Sequence, residues 1–283
     1  MRRALAFVSI TRPPNGLLMF IAVLVGVVFS DSQRITLEQA LLALVTAYSL
    51  NGSSMVINDY FDRDTDLISN PSRPIPAGLI APKEALLYST ILATAGLAAA
   101  ALISLACLTF AALAYAAAFI YNARLKKSGF LGNLMVSVDV IAPFIYGAIV
   151  SDGFITPRVL VFAALAFIAN TGREVIKGIV DVEGDATRNV STVARVRGER
   201  YAAYLGAGLY LLAVALSPAP YILNYVSAYY LYTVALADAG FIYSALKIIK
   251  DPTRENARRQ KNLTLLWMLL ALASFAVGGL THS

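Results

Sequence analysis

The chain has 283 residues, of which 58% are hydrophobic and 14% charged, with a mean hydropathy of +0.68. Soluble domains carry about 25% charged residues, so this chain has too little polar surface to enclose a soluble core and reads as a membrane protein. One cysteine, Cys107, and one histidine, His282, exclude a disulfide framework and leave no material for a Cys or His metal site, while the net charge of +6 follows membrane topology and anionic small molecules rather than nucleic acid.

A spanning helix needs roughly 20 mostly apolar residues. The N-terminal "MRRALAF" has the positive start of a signal peptide, but "RPPN" at 12–15 interrupts the apolar run and no small-residue cleavage site follows. It reads as a short lead-in helix before the first span. Nine apolar runs then begin near Leu17, Leu37, Glu84, Leu105, Leu131, Pro157, Tyr201, Tyr221 and Asn262, separated by turn-rich or charged stretches such as "SNPSRPIPAG", "NARLKKSG" and "KDPTRENARRQK". The stretch from Ala85 to Tyr121 is too long for one span, which predicts a division near Ser104. Charge supports that division. With nine spans and the N-terminus inside, every Lys and Arg except Arg34 and Arg158 falls on the cytoplasmic side, whereas fusing the third and fourth spans puts later basic loops outside. The expectation is an all-α, multi-pass protein of the cell membrane with nine transmembrane helices, N-terminus cytoplasmic and C-terminus outside. It forms a single domain over 1–283 with two motif-bearing halves, roughly 1–128 and 129–283.

Acids are scarce in this chain, yet four aspartates fall in "NDYFDRDTD", residues 58–66. Asn58, Asp62 and Asp66 are spaced four apart and share one helical face. Like charges at that spacing repel, so a compensating cation is expected. The same pattern recurs in "REVIKGIVDVEGD", where Arg173, Lys177, Asp181 and Asp185 are again four apart. A single Asp at a span end is ordinarily just solvated. Two Asp-x-x-x-Asp pairs, each at the cytoplasmic end of an even-numbered span, point instead to hard oxygen ligands for Mg²⁺. A calcium loop starting at Asp62 fails, because its sixth and twelfth positions are Leu67 and Arg73. Phosphate-loop and nucleophile-elbow motifs do not occur. Arg63, Arg73, Arg124, Lys126, Lys127 and Arg188 surround the acids, and for any one of them topology alone is sufficient reason. Arg173 and Lys177 lie deeper toward apolar sequence, where a cation must be paired or face a polar cavity. Acid, metal and base on one surface are the makeup of a diphosphate site.

"NDYFDRDTD" followed by "RPIPAG", then "DVEGD", with "TRPPN" before the first span and "YNARLKKSGFLGN" between the fourth and fifth, resembles the intramembrane prenyltransferases of the UbiA superfamily over nearly the whole chain. The resemblance implies an enzyme whose two Asp-rich motifs bind the Mg²⁺ diphosphate of an isoprenoid donor. Asn58, Asp62 and Asp66 form the first motif and Asp181 and Asp185 the second, and the four aspartates are the catalytic set. Compact length, "RPIPAG" and "REVIKGIVDVEGD" look most like the archaeal members that build ether lipids. These use geranylgeranyl diphosphate as donor and the free glycerol hydroxyl of geranylgeranylglyceryl phosphate as acceptor. The alternative is a member that prenylates 4-hydroxybenzoate or a related quinone precursor, since the metal motifs are shared.

In this reading, metal and basic side chains stabilise departing diphosphate, and the acceptor attacks the cationic allylic carbon in a water-excluding bundle. Arg63, Arg73, Lys126, Arg173 and Lys177 are the candidate substrate-binding cations, with Arg73, Lys126 and Arg173 for an acceptor phosphate. Among the aromatics Tyr115, Phe119, Tyr121, Phe144 and Tyr146, Tyr121 is the candidate for contact with the donor tail, although interfacial or interhelical packing explains such residues equally well. Two other classes fit less well. A transporter places its charges near the midplane on broken helices. A lipid-binding protein accounts for "KDPTRENARRQK" but not for the acidic pairs. Membrane lipids, donor and acceptor are the expected partners.

Overall fold

The computed structural model describes residues 2–187 and 190–281, leaving aside the side chains of Arg2, Ser69 and residues 183–187. Their regular structure is helical: α1 (Arg2–Ile10), α2 (Pro13–Val28), α3 (Leu37–Ser69), α4 (Pro82–Ile103), α5 (Leu105–Ala123), α6 (Phe130–Asp152), α7 (Pro157–Thr187), α8 (Val193–Arg197), α9 (Glu199–Leu216), α10 (Ala219–Ile222), α11 (Tyr229–Lys250) and α12 (Arg254–Leu280), with one 3-10 turn at Leu125–Lys127. Nine stretches among the described residues are long and apolar enough to span a membrane, α1 with α2 forming the first and α9 with α10 the seventh. The protein is thus an all-helical, multi-pass membrane protein.

Local chemistry sets the boundaries. Arg12 breaks the N-terminal run in a left-handed conformation (φ 50°, ψ 67°), and Pro13 opens α2, where a missing N–H is harmless. Thr36 and Gln39 make a reciprocal capping box at the start of α3. The third and fourth spans part at Ser104, whose extended backbone (φ −169°, ψ 162°) ends α4 while its hydroxyl accepts from the Cys107 N–H at 3.1 Å to cap α5. Two boundaries differ from expectation. The eighth span begins at Tyr229, not near Tyr221, because Pro220 and a left-handed Asn224 (φ 56°) hold 219–228 as a short helix and turn. Aromatic interfacial residues there imitate a span by composition. The ninth span, α12, begins at Arg254, eight residues before Asn262, since "RENARRQK" continues the helix with Ala257 and Gln260 buried.

The chain divides into two compact units, Met1–Arg124 with Ala142–Ile155 and Leu125–Ile141 with Thr156–Ser283, so α6 contributes to both and Pro143 lies just past the change. In the first unit, Val23, Ala43, Ala100, Cys107, Tyr146 and Ile149 form one apolar core. There α2 and α6 approach backbone to backbone: a Cβ on Gly26 would meet the Phe144 carbonyl oxygen at 2.0 Å, and one on Gly147 the Val23 carbonyl oxygen at 2.0 Å. A second cluster joins Ala6 and Ile10 of α1, Val56 of α3, and Ile75 and Ile80 of the "RPIPAG" loop. Core residues of the other unit come from α7, α8, α9, α11 and α12, with Val175, Ile176, Tyr210, Ala245 and Ala257 at the centre.

Two helices are too long for the bilayer alone. At 1.5 Å per residue the 33 residues of α3 and the 31 of α7 extend about 50 and 46 Å, against roughly 30 Å of hydrocarbon. The C-terminal turns of these two helices carry the acidic stripes. Residues 59–69 and 173–187 therefore continue these helices, and the irregular part after the first motif is confined to the turns of 70–81.

Candidate active site

Near the end of α3, Asn58 donates its amide to Asn122 Oδ1 at 2.8 Å. Asn122 is itself buried on α5, donating to the Ala118 carbonyl at 3.0 Å. With its N–H engaged, Asn58 has only its carbonyl oxygen for a metal. Asp62 is half-buried one turn on. Asp66 is buried and accepts from Arg73 at 2.5 Å and from Asn70 at 3.1 Å. The loop after α3 makes that contact possible, because Ile75 and Ile80 pack under α1 and α3 and fold Arg73 back against the helix. Arg63 takes another direction: its guanidinium lies over the Tyr60 ring at 4.7 Å, bonds the Tyr60 carbonyl at 2.9 Å and sits 3.7 Å from Asp64.

The structure adds two residues to this end. Asp59, next to Asn58, is buried between Arg12 Nη2 at 2.7 Å and Arg73 Nη1 at 3.2 Å. Arg12 is carried there by the α1–α2 break, and α1 is docked by Phe7 against Tyr88 (5.2 Å between centroids) and by the Arg3–Glu84 ion pair. Sequence spacing missed Asp59 because it lies off the four-residue stripe. A carboxylate buried in so apolar a chain needs partners, and "TRPPN" contained one.

On α7, Arg173 bonds Glu174 at 2.8 Å and Lys177 bonds the other Glu174 oxygen at 3.0 Å. Glu174, buried and likewise off the stripe, is the second residue that spacing missed. Asp181 is half-buried a turn beyond Lys177; the Asp185 side chain and Arg188 lie outside the described residues. The loop bearing Lys126, itself half-buried, is pinned in the same unit: Ser191 N–H donates to the Lys127 carbonyl at 3.2 Å. Gly129 (φ +65°) passes so close that a Cβ would lie 2.0 Å from the Ser191 carbonyl oxygen.

The aromatics divide. Tyr121 is half-buried beside Asn122. Tyr115 bonds Ser53, which bonds Ser89, in a buried interhelical cluster. Phe119 meets Phe61 edge to face at 6.0 Å, and Tyr146 is core, stacked with Phe110 at 6.4 Å. Asp139 sits near the middle of α6 with no hydrogen bond or ion pair to the described residues, an ionisable group at membrane depth that spacing did not single out.

Asn58, Asp62, Asp66 and Asp181 offer hard oxygen donors, the chemistry Mg²⁺ prefers. Among the described residues no three His, Cys, Asp or Glu side chains converge into a ready cage.

Nine apolar spans among the described residues, with Asp stripes near the C-terminal ends of α3 and α7 and a buried carboxylate paired with two cations on each of these helices, define an intramembrane protein. Residues 19–278 match the UbiA prenyltransferase family, to which the chain belongs. The digeranylgeranylglyceryl phosphate synthase of Archaeoglobus fulgidus is 39% identical over 95% of this chain and 94% of its own. A solved structure concerned with digeranylgeranylglyceryl phosphate synthase in membranes is similar with a TM-score of 0.87 at 28% identity, covering 99% of each chain. A UbiA homologue from Archaeoglobus fulgidus, solved with GPP and Mg²⁺, shares the fold with a TM-score of 0.71 at 18% identity over 96% of this chain and 100% of its own.

Proposed function

We propose that the protein transfers the prenyl group of geranylgeranyl diphosphate to the free glycerol hydroxyl of geranylgeranylglyceryl phosphate, from the cytoplasmic side of the cell membrane. The observation that carries this reading is the pair of Asp stripes on the overlong α3 and α7, in a chain matched along nearly its full length by archaeal relatives of that activity. In it, Asp62, Asp66, Asp181 and Asp185, with the Asn58 carbonyl, hold Mg²⁺, which when bound neutralises charge on the departing diphosphate. Arg73, Arg173 and Lys177 supply the fixed positive charge beside them, and Lys126 and Arg63 stand in the adjoining basic segments. Apolar helix faces receive the chains of donor and acceptor, each buried methylene contributing about 0.8 kcal/mol, and keep water from the allylic carbon.

Mass analysis of products tests this, with purified protein, geranylgeranyl diphosphate and Mg²⁺, and with geranylgeranylglyceryl phosphate and 4-hydroxybenzoate offered in parallel. A second ether-linked chain on the glycerol phosphate is expected. A prenylated ring alone would move the protein to quinone-precursor chemistry, and release of free geranylgeraniol alone would reject transfer.

A further inference from the structure

Two buried carboxylates outside the Asp stripes, one in each unit, have surroundings of the same kind. Asp59 is 2% exposed and takes Arg12 and Arg73. Glu174 is 6% exposed and takes Arg173 and Lys177. Each stands seven residues, two helical turns, before a motif aspartate: Asp59 before Asp66, and Glu174 before Asp181. In both cases the anion is sealed while at least one cation reaches outward, the Arg12, Arg73 and Lys177 side chains being 35%, 30% and 42% exposed and that of Arg173 17%. In the first group a cation also contacts the motif aspartate, and in the second the relation is one of sequence spacing. Arg73 bridges Asp59 and Asp66, at 3.2 and 2.5 Å, and Lys177 lies one turn before Asp181, the spacing at which Lys and Asp pair. Arg12 meets Asp59 from a left-handed backbone that residues other than glycine seldom adopt.

A guanidinium beside a metal-binding carboxylate competes with the metal for it. A second, buried carboxylate within reach resolves that competition, since the cation has somewhere to stay when the metal takes the first. We propose that Asp59 and Glu174 are positioning residues. Each anchors two cations beside a motif aspartate, so that the aspartate is released to Mg²⁺ while the cations remain for the diphosphate. The proposal rests on the reading of the Asp stripes as metal ligands.

Its test is Mn²⁺ titration of the purified full-length protein without donor, followed by electron paramagnetic resonance, with thermal stability measured in parallel. Asp59→Asn leaves Arg73 to Asp66 alone and is expected to raise the half-saturating Mn²⁺ concentration about 10–100-fold, the usual range for losing a supporting partner of a metal ligand. Adding Arg73→Gln to that variant returns the midpoint toward wild type. Arg12→Gln acts in the opposite sense, because Asp59 then draws Arg73 off Asp66 and the midpoint falls. Glu174→Gln raises it, as Lys177 turns to Asp181. A merely structural role predicts lower stability in all four variants without these opposed shifts. If wild type binds Mn²⁺ and the single variants leave the midpoint in place, or all raise it, the positioning role is overturned. If wild type binds none, the metal reading falls first and the positioning role with it.

Discussion

Asp62 and Asp181 are half-buried, whereas Asp59, Asp66 and Glu174 are sealed among cations. That contrast separates what each loss should do. Replacing Asp62 or Asp181 by Asn keeps shape and removes one carboxylate charge from a half-buried position, and stability is expected to change by about 0.5 kcal/mol or less, as at surface sites. Transfer is expected to fall roughly 100-fold or more, a loss typical of removing one group that stabilises developing charge, with the yield of folded, detergent-extracted protein near normal. Equal loss of folded yield and activity would assign these carboxylates to structure. At this scale the sequence was readable where residues repeat at a regular interval. Asn58, Asp62 and Asp66 announce themselves by spacing, but Asp59 and Glu174 do not, because their role depends on which distant cations the fold delivers. Arg12 reaches Asp59 only through the docking of α1.

At the scale of elements, length and charge alternation were enough to divide the third span from the fourth, and Ser104 supplies the physical break. Ser104→Ala removes the hydroxyl that caps α5 and is expected to cost about 1 kcal/mol, read as a lower thermal midpoint with catalytic constants unchanged. An unaltered midpoint would show that neighbouring helices, not the cap, fix this break. Gly129→Ala forces a side chain into the Ser191 carbonyl from a positive φ. It should destabilise the second unit and displace the loop that carries Lys126, raising KM more than it lowers kcat if that lysine meets substrate. Less of the 219–228 segment was legible, since interfacial aromatics and buried helical ones have the same composition; only Pro220 and the turn at Asn224 separate them. The early start of α12 was obscured for the opposite reason, because its first turns are basic and look like loop.

For the whole molecule, the expected topology follows from the loops: all basic residues but Arg34 and Arg158 lie in segments assigned to one side. Ser72 and Ser191 are exposed and Cys107 is buried, so cysteines placed at 72 and 191 should be the reactive thiols. Both are expected to label from the cytoplasmic face in inverted vesicles, and labelling of either from outside intact cells would overturn the orientation. Each compact unit carries one Asp stripe and one anchored pair of cations, so the account requires both motifs to contribute to one event, binding of a metal diphosphate. The most direct measurement is calorimetric titration of an unreactive thiolo analogue of geranylgeranyl diphosphate into the purified protein, with Mg²⁺ and with EDTA. Saturable binding that requires Mg²⁺, and that disappears in both Asp62→Asn and Asp181→Asn, is the predicted result. Equal binding in EDTA, or full retention in either variant, would contradict it.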